Sequence, residues 1–66
     1  MFLLITPGND EATEYATLAA ATNAAVAAHI AANKLRRDFM MRWAPVGSGI
    51  SEWISHAGNY RVVRVA

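Results

Sequence analysis

The chain has 66 residues, no cysteine and a net charge of +1. That length predicts one domain, residues 1–66, near the lower limit for a self-sufficient hydrophobic core. Without cysteine, neither a disulfide framework nor a cysteine-ligated zinc site stabilises so small a core, so we expect oligomerisation to supply part of the stability.

The chain begins with an apolar run, residues 2–6, which Pro7 and Gly8 end. This composition is typical of a strand that is buried on both faces and followed by a turn. The run carries no basic residue and is too short for the apolar part of a signal peptide. We therefore expect a strand at residues 2–6 and a cytoplasmic protein.

The central segment predicts one long helix, from a cap at Asn9 or Asp10 to about Trp43. Residues 15–33 are rich in alanine and carry no charge, glycine or proline, which favours a helix. The acidic residues before this segment and the basic residues after it lie at the helix ends where the helix dipole favours them. Pro45 follows the predicted end.

The predicted helix is too long for its own globule. At 1.5 Å per residue it would span about 50 Å, whereas a globule of this chain length has a diameter of roughly 28 Å. The helix is therefore expected either to bend, with Asn33 and Lys34 as the favoured place, or to project and be covered by a partner chain.

The two sides of the predicted helix differ. At 100° per residue, a bulky stripe falls on one side and is expected to pack on the strands; it comprises Tyr15, Leu18, Val26 and Ile30. The opposite side is smooth and would let a second helix approach closely. The expected self-association surface combines this side with two later apolar residues: Ala20, Ala24, Ala27, Ala31, Leu35 and Phe39.

The last third of the chain predicts a loop at residues 46–49, a two-turn helix at 51–58 and a strand at 60–65. Ser51 suits the N-cap of the short helix and Gly58 its C-terminal stop. A strand at 50–55 in a hairpin with the chain end is the alternative. The end strand is rich in β-branched residues and is expected to pair in parallel with the first strand through a right-handed crossover.

Together these elements predict an α+β fold in the order strand, long alanine-rich helix, short helix, strand. Each chain would have a two-stranded sheet packed on the long helix, and chains would join through helix–helix contacts. A membrane-spanning helix is the competing interpretation of residues 15–33. It is disfavoured because the segment contains Asn23 and His29 and has Leu18, Val26 and Ile30 as its only strong hydrophobes.

The basic residues cluster after the charge-free segment, next to large apolar side chains. Arginine, methionine and tryptophan together are typical of protein interfaces, so a partner protein is the expected ligand. A nucleic acid is the alternative, because doubling in an oligomer would enlarge the positive patch. The expected contact residues are Lys34, Arg36, Arg37, Met41, Arg42 and Trp43.

The loop residues Gly47, Ser48 and Gly49 precede the predicted short helix and resemble a phosphate-binding loop only in glycine content. A small anionic ligand held there between subunits is a third hypothesis. The sequence lacks the glycine and lysine positions of nucleotide-binding loops, so a flexible connector is the favoured interpretation.

Catalysis, a metal and a cofactor are not expected. No Ser-His-acid order or close carboxylate pair stands out, and the residues three and four positions from His29 are alanine, valine and asparagine, which do not complete a metal site. We therefore expect a non-enzymatic, self-associating protein that acts by binding a partner protein, of the kind found among small accessory proteins of bacteria and their phages.

Overall fold

The computed structural model describes residues 1–8, 12–47 and 51–65. Within these ranges the chain forms five strands and one helix: β1 (Phe2–Ile5), β2 (Ala12–Tyr15), α1 (Leu18–Asn33), β3 (Trp43–Pro45), β4 (Glu52–Ser55) and β5 (Arg61–Arg64). The strands form a single sheet in the order β2-β1-β5-β4-β3. All neighbouring strands are antiparallel.

The helix lies on one face of the sheet and has a clear start and end. Thr17 caps its first turn, where the Thr17 hydroxyl accepts a hydrogen bond from the Ala20 amide at 3.1 Å. Lys34 ends it in the left-handed conformation (φ 53°), with its amide bonded to the Ile30 carbonyl. Positive φ at this position is a common helix stop. The helix packs on β1, β2 and β5.

Two alanines of the helix form its most buried side, because their small side chains let the helix backbone approach the sheet closely. Ala21 and Ala25 are fully buried, and so is Val62 opposite them. The buried core comprises Leu4, Ala21, Ala25, Tyr60 and Val62. Leu4 and Val62 are direct cross-strand partners. Together with Ala21 and Ala25 they place the core between the helix and the strands β1 and β5.

The predicted two-stranded sheet with a long and a short helix is wrong. The structure has a five-stranded antiparallel sheet and a single helix in its described part. The end strands are neighbours, as expected, but they run antiparallel, with Leu4 opposite Val62. The antiparallel direction is possible because β2, α1, β3 and β4 lie between the two end strands in the chain. The end strands are therefore not joined by a single crossover connection, which a parallel pair would need.

The predicted long helix is also wrong, since only its middle is helical. The segment before it forms β2, where Thr13 and Tyr15 alternate with Glu14 and favour a strand. The helix ends at Lys34, where the sequence predicts a bend, and the chain then continues without regular structure to β3. Leu35 and Phe39 therefore do not continue the surface of the helix. The predicted cap at Asn9 or Asp10 lies outside the described residues.

The predicted short helix is replaced by β4 and a tight turn, which is the alternative that the sequence left open. Gly58 does adopt positive φ (75°), and Asn59 follows it at 53°. Positive φ suits a hairpin turn as well as a helix stop, so the glycine signal alone does not separate the two. Trp53 and Ile54 then decide for a strand, since both residue types favour sheets.

Candidate partner-binding groove

A groove separates the helix from the uncovered end of the sheet. Because α1 packs on β1, β2 and β5, the same face of β4 and β3 extends beyond the helix. The space between them has a volume of 560 Å³ and is lined by Leu18, Ala19, Thr22, Trp43 and Trp53. The fold thus creates a trough beside the first two turns of the helix.

The sheet side of the groove consists of two tryptophans on neighbouring strands. Trp53 is the cross-strand partner of Val62, and Trp43 is the partner of Ser55. Since paired residues point to the same face of a sheet, both indoles stand on the helix side. Both are half-buried, and the ring of Phe2 supports Trp53 at a centroid distance of 6.1 Å.

The helix side of the groove is nearly apolar. Leu18 is half-buried and Ala19 is exposed at the surface of the helix. The Thr22 hydroxyl donates to the carbonyls of Leu18 and Ala19, each at 3.1 Å. Its hydrogen is therefore directed at the helix backbone, and the wall presents mainly methyl groups to the groove.

The lining residues define what this groove offers chemically. None of the five side chains is titratable, so the groove itself contains no acid–base pair. The indole N–H groups are its hydrogen-bond donors, and its remaining surface is suited to apolar contact. Such a surface binds an aromatic or aliphatic group and orients it by one or two hydrogen bonds.

The residues predicted for self-association are not brought together. Ala24 packs against the core of its own chain, whereas Ala20, Ala27 and Ala31 are exposed. Beyond the helix, Phe39 contacts the His29 ring at 5.5 Å.

The sixth residue of this set, Leu35, lies just past the helix stop, with 36% of its surface exposed. The six residues thus divide between the core, the helix surface and the segment after it, because the helix that was to align them ends at Asn33.

The predicted partner-contact cluster is also divided. Met41 and Trp43 pack against the core on the helix side of the sheet, whereas alternation along β3 directs Arg42 to the opposite side. The Arg42 amide donates to His56 Nδ1 at 2.9 Å, and the His56 amide donates to the Arg42 carbonyl. His56 therefore extends the β3–β4 pairing and does not lie in the short helix predicted for residues 51–58.

The other predicted contact residues lie elsewhere on the surface. Lys34, Arg36 and Arg37 are exposed after the helix, and Arg36 forms an ion pair with Asp38 at 3.6 Å. Gly47 is exposed, while Ser48 and Gly49 lie outside the described residues. The hypothesis of an anion-binding loop at these three residues stays a prediction.

Sequence reasoning did not find Trp53, Leu18 and Thr22 as neighbours of Trp43. The favoured prediction places Trp53 in a short helix. A tryptophan followed by isoleucine before a glycine turn also indicates a hairpin strand. In that arrangement the two tryptophans fall on adjacent strands.

Three further observations concern the chain as a whole. Among the residues with described positions, no group of three or more His, Asp or Glu side chains could hold a metal ion. Nor does that part of the chain contain a helix with the length and apolar character needed to cross a membrane. Comparison with protein-family models, curated proteins and solved structures found no match for this chain.

Proposed function

We propose that this chain is a non-enzymatic protein that acts by binding a partner protein, and that the groove receives an apolar side chain of that partner. The observation that carries this proposal is the pair of half-buried indoles, Trp43 and Trp53, on the wall of an open groove. Tryptophan is enriched among the few residues that supply most of the binding energy at protein interfaces.

The composition of the groove supports a protein ligand. Its volume of 560 Å³ lies within the usual range of binding pockets, yet five residues line it and none is titratable. A charged metabolite would find no countercharge in this lining. An aromatic or aliphatic side chain would gain the burial of two indoles without burying a charge.

The proposal includes a cytoplasmic setting and an accessory role of the inhibitor or regulator kind. The absence of cysteine is compatible with a reducing compartment. A chain of 66 residues has enough surface for one specific interface.

Site-specific photocrosslinking in the organism that encodes the protein tests the proposal. A benzophenone amino acid at Ala19, on the groove wall, should crosslink to one specific partner. The same probe at Ala27, exposed on the far side of the helix, is the matched control and should not. Truncating a tryptophan hot spot costs about 2 kcal/mol, roughly a thirtyfold loss of affinity, so Trp43→Ala should remove the Ala19 adduct.

A second variant guards against misfolding of Trp43→Ala. Ala19 is exposed, so Ala19→Arg should fold normally while its side chain obstructs the groove. It should prevent copurification of the partner identified by crosslinking, whereas Ala27→Arg should not. Equal adducts at both probe positions, or full partner binding by Ala19→Arg, would contradict the proposal.

A nucleic-acid partner is the second candidate, and three exposed cations after the helix favour it: Lys34, Arg36 and Arg37. Phosphate binding weakens steeply with salt because counterions are released. A salt titration of RNA or DNA binding, with Arg37→Ala as the variant, separates the two candidates, because binding in the groove depends little on salt.

A further inference from the structure

The face of the sheet opposite the helix is largely apolar, and we call it the open face. Strand alternation and the observed register define its members. Its large half-buried apolar residues are Leu3, Ile5, Ile54, Val63 and Val65. Ala12, Ala44 and Val46 are exposed at its margins. Its charged residues are Glu14, Arg42, Glu52 and Arg61. The helix covers the other face only.

This composition is unusual for a face that meets water. An antiparallel sheet with one solvated face normally alternates apolar and polar residues along each strand. In β1, however, all four residues are apolar. In β5 the consecutive residues Val62 and Val63 place one valine on each face of the sheet. Such strands have the composition of strands buried on both sides, and this chain supplies a cover for one side.

The charges on the open face are arranged so that the middle of the face is neutral. Arg61 Nε donates to Glu52 Oε2 at 2.8 Å, so these two side chains satisfy each other within one chain. The remaining charges lie at the two edges, with Glu14 on β2 and Arg42 beside β3. One edge is thus acidic and the other basic.

We infer that the open face is the interface with a second copy of this chain, in a dimer of two sheets packed face to face. A two-fold axis parallel to the strands sets β2 of one copy over β3 of the other. In that arrangement Glu14 lies over the partner's uncharged Val46, because both residues share the row of Leu3, Val63 and Glu52. The middle of each sheet, which is apolar apart from the Arg61–Glu52 pair, is removed from water.

The size of the face sets the strength of this dimer. The Cα atoms span 33 × 22 × 21 Å, so the smallest side covers about 460 Å² before side chains are counted, and two copies bury about 1,000 Å². This is the lower end for specific interfaces. We therefore expect a dissociation constant in the micromolar range, with no dependence on the groove or its ligand.

Sedimentation equilibrium of the full chain across the micromolar range tests the inference. The wild type should be a dimer. Ala44→Glu places a charge on an exposed position of the open face and should raise the dissociation constant at least tenfold. Ala27→Glu, with the same change on the exposed helix side, should leave it unchanged. Circular dichroism checks that both variants keep the fold.

A new ion pair tests the orientation. Val46→Lys places a cation over the partner's Glu14 and should tighten the dimer, whereas the double variant Val46→Lys with Glu14→Lys sets two cations against each other and should weaken it. A monomeric wild type at 100 μM (a concentration about a hundredfold above a low micromolar constant), or loss of the dimer with Ala27→Glu alone, would overturn the inference. Failure of Val46→Lys to tighten the dimer would overturn the parallel axis.

Discussion

The ring of Tyr60 stands edge-on to the imidazole of His29, with centroids 5.5 Å apart and planes at 85°. The ring of Phe39 also lies 5.5 Å from the His29 ring, with the two planes at 44°. Three rings therefore connect the last turns of the helix, the segment after it and the β4–β5 hairpin. This contact closes the core at the end of the molecule that bears the hairpin turn.

Tyr60 should be among the most destabilising positions to truncate. Its side chain is 5% exposed, and removing a buried aromatic ring costs about 3–5 kcal/mol. Urea denaturation should show Tyr60→Ala close to unfolded in water, whereas Tyr60→Phe keeps the ring and should lose less than about 1.5 kcal/mol. Equal stabilities of the two variants would show that the ring is not packed as described.

Gly58 and Gly47 provide a matched pair for the turn beside Tyr60. Both have positive φ, 75° and 78°, so alanine at either costs about 1–2 kcal/mol of backbone strain. Only at Gly58 would the new Cβ lie 2.5 Å from Tyr60 Cε2. Overpacking adds about 1–3 kcal/mol, so thermal melting should rank Gly58→Ala well below Gly47→Ala. The reverse order contradicts the packing of Tyr60.

The hydroxyl of Ser55 should stabilise the β4–β5 hairpin. The group is 3% exposed, accepts from the Tyr60 amide at 2.9 Å and donates to the Ala57 carbonyl at 2.7 Å. Ser55→Ala leaves buried polar groups unpaired and should cost about 1–3 kcal/mol in chemical denaturation. Ser51→Ala, at an exposed position, should change stability by less than about 0.5 kcal/mol.

The start of the helix is tested at Thr17. Thr17→Ala removes the acceptor of the Ala20 amide and should cost about 1 kcal/mol, while Thr17→Ser keeps it and should be nearly neutral. Guanidinium denaturation of both variants gives the difference directly. If Thr17→Ala were neutral as well, the helix would have to begin elsewhere, as the cap predicted at Asn9 or Asp10 requires.

The helix and the two end strands could be predicted from sequence because their signals are local. Alanine content indicates α1, and β-branched or apolar runs indicate β1 and β5. The boundaries of the helix could not be predicted in the same way. Ala12 and Glu14 suit a helix, whereas Thr13 and Tyr15 favour a strand. Pairing of β2 with β1 decides between the two.

The groove could be predicted only in part for a related reason. Trp43 stands out in the sequence as an interface residue, but its neighbours come from β4 and from the first turns of the helix. Those contacts depend on a strand order of β5-β4-β3, and no local pattern encodes that order. Alternation along β3 separates Arg42 from Met41 and Trp43, although their adjacent positions in the sequence suggest that they act together.

The helix covers the face of the sheet that bears Leu4 and Val62, so the groove lies on that side and the open face on the other. A shift of pairing by one residue would exchange the two faces. A nuclear Overhauser spectrum with labelled methyl groups tests this directly. Cross-peaks are expected from the Ala21 and Ala25 methyls to Leu4 and Val62. Cross-peaks from these alanines to Leu3 and Val63 instead would show that the helix covers the other face.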